Sequence, residues 1–185
     1  MVLNEVETLV YELEKSELEA PNGCASPQTY AQLLAVYLYQ NDLCNAKYLW
    51  KRIPVSIKNN KTELQQIWIV GQRMWQRDWP AVHTALDIEW TDEVSGIMLA
   101  LKENVRERAM SLISEAYSSV NLTLLASMTG LSLEQAKLSA SERGWILDDT
   151  TVRPCKVDKE QTPVQASLAE SQLNKLTQFV SFLEN

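Results

Sequence analysis

The sequence predicts a mainly α-helical fold, in which TPR-like helical repeats are followed by a winged-helix module and a C-terminal amphipathic helix. Apolar residues recur at steps of three and four through most of the chain, which is typical of helices that pack by one face. One pattern repeats after 36 residues, and a helix–turn–helix pattern with a hairpin signal follows near residue 145. The 185 residues are 45% apolar and 22% charged, a composition that excludes the disordered and fibrous classes.

Two predicted helix hairpins in the first half of the chain are related by a shift of 36 residues. The shift places Leu38 on Met74 and Asp42 on Asp78, and each Asp stands where it can cap the helix that follows. The spacing is close to the tetratricopeptide (TPR) period of about 34 residues. Such a repeat cannot bury its apolar face alone, so each hairpin needs a neighbour. We expect this helical-repeat domain to span residues 1–118.

A winged-helix module is predicted at residues 119–153. A short apolar helix is closed by Gly130, and Ser132 with Gln135 has the spacing of a capping box that opens a second helix. Residues 145–152 then have the pattern of a short β-hairpin around an Asp-Asp turn. Helix, turn, helix and hairpin in about 30 residues are the parts of a winged helix.

The end of the chain predicts a linker and an amphipathic helix. Residues 154–166 contain two prolines among polar residues, whereas residues 167–185 return to strict helical order. A tethered helix with an apolar stripe would be an exposed sticky surface without a partner, so we expect it to pack with helices of other chains. The alternative is docking on the chain's own core. The stripe consists of Ala169, Leu173, Leu176, Val180 and Leu183, with Leu168, Gln172 and Phe179 beside it.

The residues that enzymes need are scarce, and the sequence predicts no enzyme, no cofactor and no metal site. His83 is the only histidine, which excludes His-pair metal sites, and it is expected on an ordinary polar helix face. Three widely spaced cysteines form neither a disulfide framework nor a zinc motif, and no Gly-rich phosphate loop exists. No apolar run approaches the roughly 18 residues that a membrane helix requires, so no membrane association is expected.

The charge distribution argues against the alternative interpretation, which is a winged helix that binds nucleic acid. The chain has a net charge of −7, but residues 47–77 contain seven basic residues against Glu63 alone. The predicted recognition helix, residues 133–143, carries two acids and two bases, and the hairpin tip is acidic. Electrostatic attraction supplies most non-specific affinity for nucleic acid, so we expect no nucleic-acid partner. The tryptophans of the basic stretch, Trp50, Trp68 and Trp75, are expected in the repeat core.

Helical repeats that run into a winged helix and a terminal helix resemble the PCI-domain family, which builds the proteasome lid, the signalosome and translation initiation factor three. Several segments further resemble the subunit-eight family of the constitutive photomorphogenesis 9 signalosome. In chain order they are ELEAP at residues 17–21, YAQLLA at 30–35, NAKYLWKRIP at 45–54, GQRMWQRD at 71–78 and FLEN at 182–185. The resemblance covers nearly the whole chain.

This resemblance implies a non-catalytic scaffold in the cytoplasm and nucleus. The signalosome removes the ubiquitin-like protein Nedd8 from cullins and so regulates cullin–RING ubiquitin ligases, by chemistry that resides in a different subunit. A scaffold of the proteasome lid or of initiation factor three is the alternative within the family. Other signalosome subunits are the implied partners, with subunit three the expected direct neighbour and cullin–RING ligases reached indirectly.

The resemblance also implies two contact surfaces. Winged helices of the family join edge to edge, which makes Thr150, Thr151 and Val152 the expected sheet edge. The C-terminal helices gather into a bundle. The expected bundle seam consists of Leu168, Leu173, Leu176, Phe179, Val180 and Leu183.

Overall fold

The computed structural model describes residues 3–60 and 62–155, together with the helical residues Leu173 and Thr177. Contacts divide the chain into two units, Met1–Cys155 and Lys156–Asn185. The first unit is mainly helical and ends in a small antiparallel sheet, which confirms the predicted fold class at this level. The elements of the second unit that the sequence predicts lie almost wholly outside the described residues.

The helices and strands of the first unit follow one another with short connections. The helices are α1 (Leu3–Leu18), α2 (Pro27–Tyr39), α3 (Leu43–Arg52), α4 (Val55–Asn60), α5 (Thr62–Gln76), α6 (Trp79–Leu86), α7 (Asp92–Ala116), α8 (Leu122–Thr129) and α9 (Leu133–Glu142), with a 3-10 turn at Pro21–Gly23. The strands are β1 (Val120–Asn121), β2 (Ile146–Asp148) and β3 (Thr151–Arg153).

The shift of 36 residues that the sequence shows has a counterpart in the backbone. Asn41 and Arg77 both adopt the left-handed conformation, at φ 60° and 58°. The next residues, Asp42 and Asp78, have nearly equal dihedral angles and accept hydrogen bonds from the backbone N–H three positions later. The turns between α2 and α3 and between α5 and α6 are therefore built in the same way.

Local capping signals predicted several helix starts correctly, whereas Thr91, expected to cap α7, forms no side-chain cap hydrogen bond. Ser26 accepts a hydrogen bond from the Thr29 N–H at the start of α2. The capping box of Ser132 and Gln135 is present at the start of α9, and Gly130 ends the preceding helix in the left-handed conformation. Helix α4, which follows Pro54 directly, was not predicted because its six residues are too few for a periodic pattern.

Helix α1 is held by its acidic side chains. The Tyr37 hydroxyl donates to Glu14 Oε1 at 2.6 Å, and burial together with this hydrogen bond raises the pKa of Tyr37 far above its usual range. The Arg52 guanidinium donates two hydrogen bonds of 2.7 Å to the Glu17 carboxylate. The acidic first segment thus neutralises one cation of the basic stretch.

Two apolar clusters form the core of the first unit, and α7 contributes to both. Val94 through Val105 of α7 belong to the cluster formed with α1 to α6. Met110 and Ile113 belong to the second cluster, with α8, α9 and the sheet. With 25 residues, α7 is about 37 Å long. A single helix therefore connects the larger helical cluster to the C-terminal module.

His83 adds a second connection between these regions, and the expectation of a polar face is wrong. Its side chain is only 4% exposed because α6 packs against α8. Its Nε2 lies 3.1 Å from the Met128 carbonyl oxygen. The ring also lies over Gly130, where a Cβ would come within 2.3 Å of the His83 Cγ. Nearby, Arg106 Nε donates to the Thr129 carbonyl at 3.3 Å.

We predict that Gly130→Ala lowers the free energy of unfolding by about 2–4 kcal/mol, because it combines a left-handed backbone with a clash against the imidazole. Gly144→Ala is the matched control. Gly144 has a similar φ of 71°, but nothing lies within 4 Å of its Cβ position, so only the backbone cost of about 1–2 kcal/mol applies. Urea denaturation measures both variants, and equal losses would contradict a role for the His83 contact.

We also predict that the stability of the protein falls as the pH drops below about 6.5. Burial lowers the pKa of His83, and Arg106 and Lys102 lower it further, against the opposing effects of the Met128 hydrogen bond and Asp87. The unfolded chain therefore takes up a proton that the folded chain resists, so stability is complete above the unfolded pKa and declines below it.

The comparison is between wild type and His83→Gln, whose amide can still donate to Met128. From pH 7.5 to pH 5.5 the wild type should lose more unfolding free energy than His83→Gln, because only the wild type has the imidazole at this position. Urea denaturation at each pH would measure both proteins. Since His83 is the only histidine, its ring protons are also a direct NMR readout of its pKa. A pKa at or above 6.5 would contradict the prediction.

Candidate functional site

The C-terminal sheet contains the predicted contact strand, and its order differs from the prediction. The strands are arranged β1-β3-β2, and both pairs are antiparallel. Val152 on β3 is opposite Val120 on one side and Leu147 on the other. Strand β3 is therefore the central strand.

The prediction that Thr150, Thr151 and Val152 form a free sheet edge is wrong. Thr151 pairs with both neighbouring strands, and Val152 is fully buried. The Thr150 carbonyl oxygen accepts a hydrogen bond of 3.0 Å from the Leu122 N–H. The backbone of this segment is occupied within its own sheet, so it has no row of groups to offer another strand.

Strand β1 explains the error. It has only two residues, Val120 and Asn121, and α8 begins directly after it. A two-residue strand has no alternation that sequence reasoning can detect. The one available signal is Val120, a β-branched residue isolated between the end of α7 and the Asn121 cap.

The sheet has two edge strands, of which β1 has two residues, one of them buried, and β2 has three. The outer side of β2 pairs with no other strand in the described part of the chain. All three of its residues are exposed, with Ile146 at 66% and Leu147 at 43%. Unpaired strand edges are templates for pairing with another chain, and apolar side chains along them favour such pairing. The arrangement can therefore extend the sheet by one strand from a partner.

The β2 edge stands on a rigid support. Gly144 adopts φ 71°, which turns the chain from α9 into the strand. The Trp145 N–H donates to the Ala140 carbonyl at 2.9 Å, and the Trp145 side chain is 5% exposed in the second core. An ion pair between Arg143 and Glu107 joins this turn to α7. The position of the edge is thus fixed from the core side.

The surface around the edge is mixed in character. A cavity of about 230 Å³ lies beside it, lined among others by Leu122, Lys137, Leu147 and Asp148. Helix α9 exposes two further apolar side chains, Leu133 and Leu138. Aliphatic and oppositely charged groups in one area suit a protein partner better than a phosphate backbone.

Of the predicted bundle seam, Leu173 is the one residue that is described. It is helical and 66% exposed, and its carbonyl accepts a hydrogen bond of 2.9 Å from the Thr177 hydroxyl. Leu168, Leu176, Phe179, Val180 and Leu183 lie outside the described residues. The seam remains a prediction.

Among the described side chains, no group of His, Cys, Asp and Glu could hold a metal ion. Cys24, Cys44 and Cys155 are free and exposed. Within the described ranges, none of the helices is long and apolar enough to cross a membrane.

Comparison with known proteins gives a consistent result. Residues 25–165 match the model of the CSN8/PSMD8/EIF3K family. COP9 signalosome complex subunit 8 of Xenopus laevis is 46% identical over 93% of this chain and 89% of its own length. The subunit 8 of Danio rerio is 44% identical over 97% and 94%, respectively. That of Drosophila melanogaster is 32% identical over the whole of both chains.

These matches cover at least 93% of this chain, and all three relatives bear the name COP9 signalosome complex subunit 8. The subunit-eight resemblance predicted from the sequence is confirmed. The chain therefore belongs to the CSN8/PSMD8/EIF3K family, and within that family it is similar to subunit 8 of the COP9 signalosome.

Proposed function

We propose that the chain is a non-catalytic scaffold subunit of a signalosome, the complex that removes Nedd8 from cullins and so regulates cullin–RING ubiquitin ligases in cytoplasm and nucleus. Membership of the family and the names of the relatives support this proposal. The observation that carries it at the level of geometry is the unpaired, apolar β2 edge on a fixed support.

In this proposal the chain has four parts. Residues 1–118 are a TPR-like repeat domain, and the two equivalent Asp-capped turns support that classification. Residues 119–153 are a winged helix, in which α8 and α9 are followed by the β2–β3 hairpin. Residues 154–166 act as a linker, and residues 167–185 form the assembly helix.

The partner at the sheet is proposed to be another signalosome subunit, with subunit three the expected direct neighbour. Its winged helix would add a strand to β2, rather than to residues 150–152. Pairing at β2 satisfies backbone groups on both chains and removes Ile146 and Leu147 from water, which contributes roughly 1.5–3 kcal/mol for each fully buried side chain.

The terminal helix is proposed to enter a bundle with helices of the other subunits. Five or six large apolar side chains recur on one stripe of residues 168–183. An isolated helix of about this length is marginal in water, so its stability has to come from packing. Charged or polar replacements on the stripe should therefore act on assembly.

We predict that Ile146→Glu weakens binding to subunit three at least tenfold, or about 1.4 kcal/mol, because it places an unpaired charge in the strand interface. Thermal stability should stay near wild type, since Ile146 is 66% exposed. Leu99→Glu, at a position 71% exposed on α7, makes the same chemical change away from the sheet. Calorimetric titration with purified subunit three measures all three proteins. Unchanged affinity for Ile146→Glu, or equal losses in both variants, would contradict edge pairing at β2.

We further predict that removing residues 165–185 leaves the first unit folded but abolishes incorporation into the complex. The described buried side chains of the two core clusters lie between Val6 and Val152, so the truncated chain retains them. Circular dichroism should show the same thermal transition as the full chain, and co-purification with the other subunits should be lost. A truncated chain that still co-purifies in full amount would rule out the bundle.

A further inference from the structure

A groove on the repeat region lies well apart in the fold from the sheet and has features of a binding surface. It runs between α3 and α5, and buried residues of α2 and α5, Leu38 and Gly71, form its floor. A Cβ on Gly71 would come within 3.1 Å of Leu38 Cδ2, so the glycine allows α5 to approach α2 closely. The cavity has a volume of about 250 Å³.

The groove is lined by aromatic rings that are held in place yet remain open to solvent. Trp75 is 53% exposed, which corrects the expectation of a core position. Lys47 lies over its ring at 4.7 Å from the centroid. Trp68 stacks on Trp50 at 5.0 Å, and Lys58 covers the same Trp50 ring. These contacts fix the rings before any ligand arrives, so little rotamer freedom is lost on binding.

The charge around the groove is mainly positive, and none of the side chains that line it is acidic. Lys47 lines it, Lys51 lies one turn further along α3, Arg73 lies on α5 and Arg77 directly follows that helix. Asp42 and Asp78, which cap α3 and α6, are the acids next to these segments in sequence. All four cations are exposed, and none forms an ion pair with a carboxylate among the residues that the structure describes.

Two charged side chains near the groove already have partners within the chain. Arg52 is paired with Glu17, and Glu63, the one acid of residues 47–77, accepts a hydrogen bond from the Thr91 N–H at 2.9 Å. Among the described residues none of these acids forms an ion pair with the four cations, so the groove keeps an excess of positive charge.

Size and lining decide the class of ligand. At about 250 Å³ the cavity is smaller than the roughly 300–1,000 Å³ of cofactor and drug sites, so it suits one large side chain and not a cofactor. The Gln72 and Gln76 amides at the rim can bond to a peptide backbone. The surrounding cations select carboxylates.

We propose that this groove binds a short acidic segment of another protein, with one large apolar side chain seated between Trp68 and Trp75. The flanking carboxylates of that segment contact Lys47, Lys51, Arg73 and Arg77. A single-stranded nucleic acid would also find rings and cations here. The cavity favours the peptide, because it is a single depression lined by Leu38 and Gly71 and not a row of exposed rings for successive bases.

The test uses the full-length chain and a peptide that carries fluorescein on its N-terminal amine, fluorescein-Gly-Ser-Glu-Asp-Glu-Phe-Asp-Glu-Gly-Ser-amide. Fluorescence anisotropy should give saturable binding with a Kd of about 10–300 μM at low salt, the range of a small weak interface. The matched peptide with Ser in place of Phe has the same charge and should bind at least tenfold more weakly. Raising the salt concentration should weaken binding of the Phe peptide severalfold.

Variants locate the site. Lys47→Glu and Trp75→Ala should each weaken binding of the Phe peptide at least tenfold, and both positions are exposed, so folding should be retained. Lys15→Glu, at an exposed position of α1, is the matched charge control, and Tyr11→Ala, 68% exposed on the same helix, is the matched aromatic control. Both controls should bind as wild type does.

Several results would overturn the proposal. Equal binding of the Phe and Ser peptides would mean that the surface attracts negative charge without using the cavity. Tighter binding of a dT12 oligonucleotide that is sensitive to Lys47→Glu would assign the surface to nucleic acid. Absence of saturation at 1 mM peptide, or unchanged affinity in both groove variants, would show that the groove does not bind such segments.

Discussion

Helix α7 is the constraint on which the rest of the first unit depends, because its two ends belong to different cores. The buried residues of α7 between Val94 and Val105 belong to the cluster formed with α1 to α6, and Met110 and Ile113 belong to the cluster of the C-terminal module. The contact of His83 with Met128 and Gly130 joins α6 to the C-terminal module a second time. A helix and a side-chain contact therefore both connect the sheet-bearing module to the larger helical cluster.

Local interactions were predictable from the sequence, and long-range ones were not. The caps at Ser26, Asp42, Asp78 and Ser132 were found because each involves residues only three positions apart. The strand order was missed because it depends on β1, which lies some 30 residues before its partner β3. Whether a residue is central or at an edge depends on such distant pairing.

The same contrast between local and long-range interactions applies to the exposure of side chains at the candidate surfaces. The apolar pattern correctly placed Leu34, Leu49 and Ile67 in the core. It could not show that Trp75 is exposed, because a tryptophan on an apolar stripe is buried only if another helix covers it. His83 shows the converse, because its burial depends on α8, which is distant in sequence. The exposure of Trp75 and the burial of His83 both depend on how two elements meet, and the candidate surfaces also lie where elements meet.

The turn at Arg77 has an implication for how its side chain is retained. Non-glycine residues in the left-handed region cost roughly 1–2 kcal/mol, and glycine removes that cost. The equivalent turn of the preceding hairpin uses Asn41, a residue type that visits this region readily. Arginine has no such aptitude, so the backbone alone would be better served by another residue at position 77. The left-handed backbone at position 77 therefore carries a guanidinium, and a substitution to glycine or asparagine that relieved the backbone cost would also remove this positive charge.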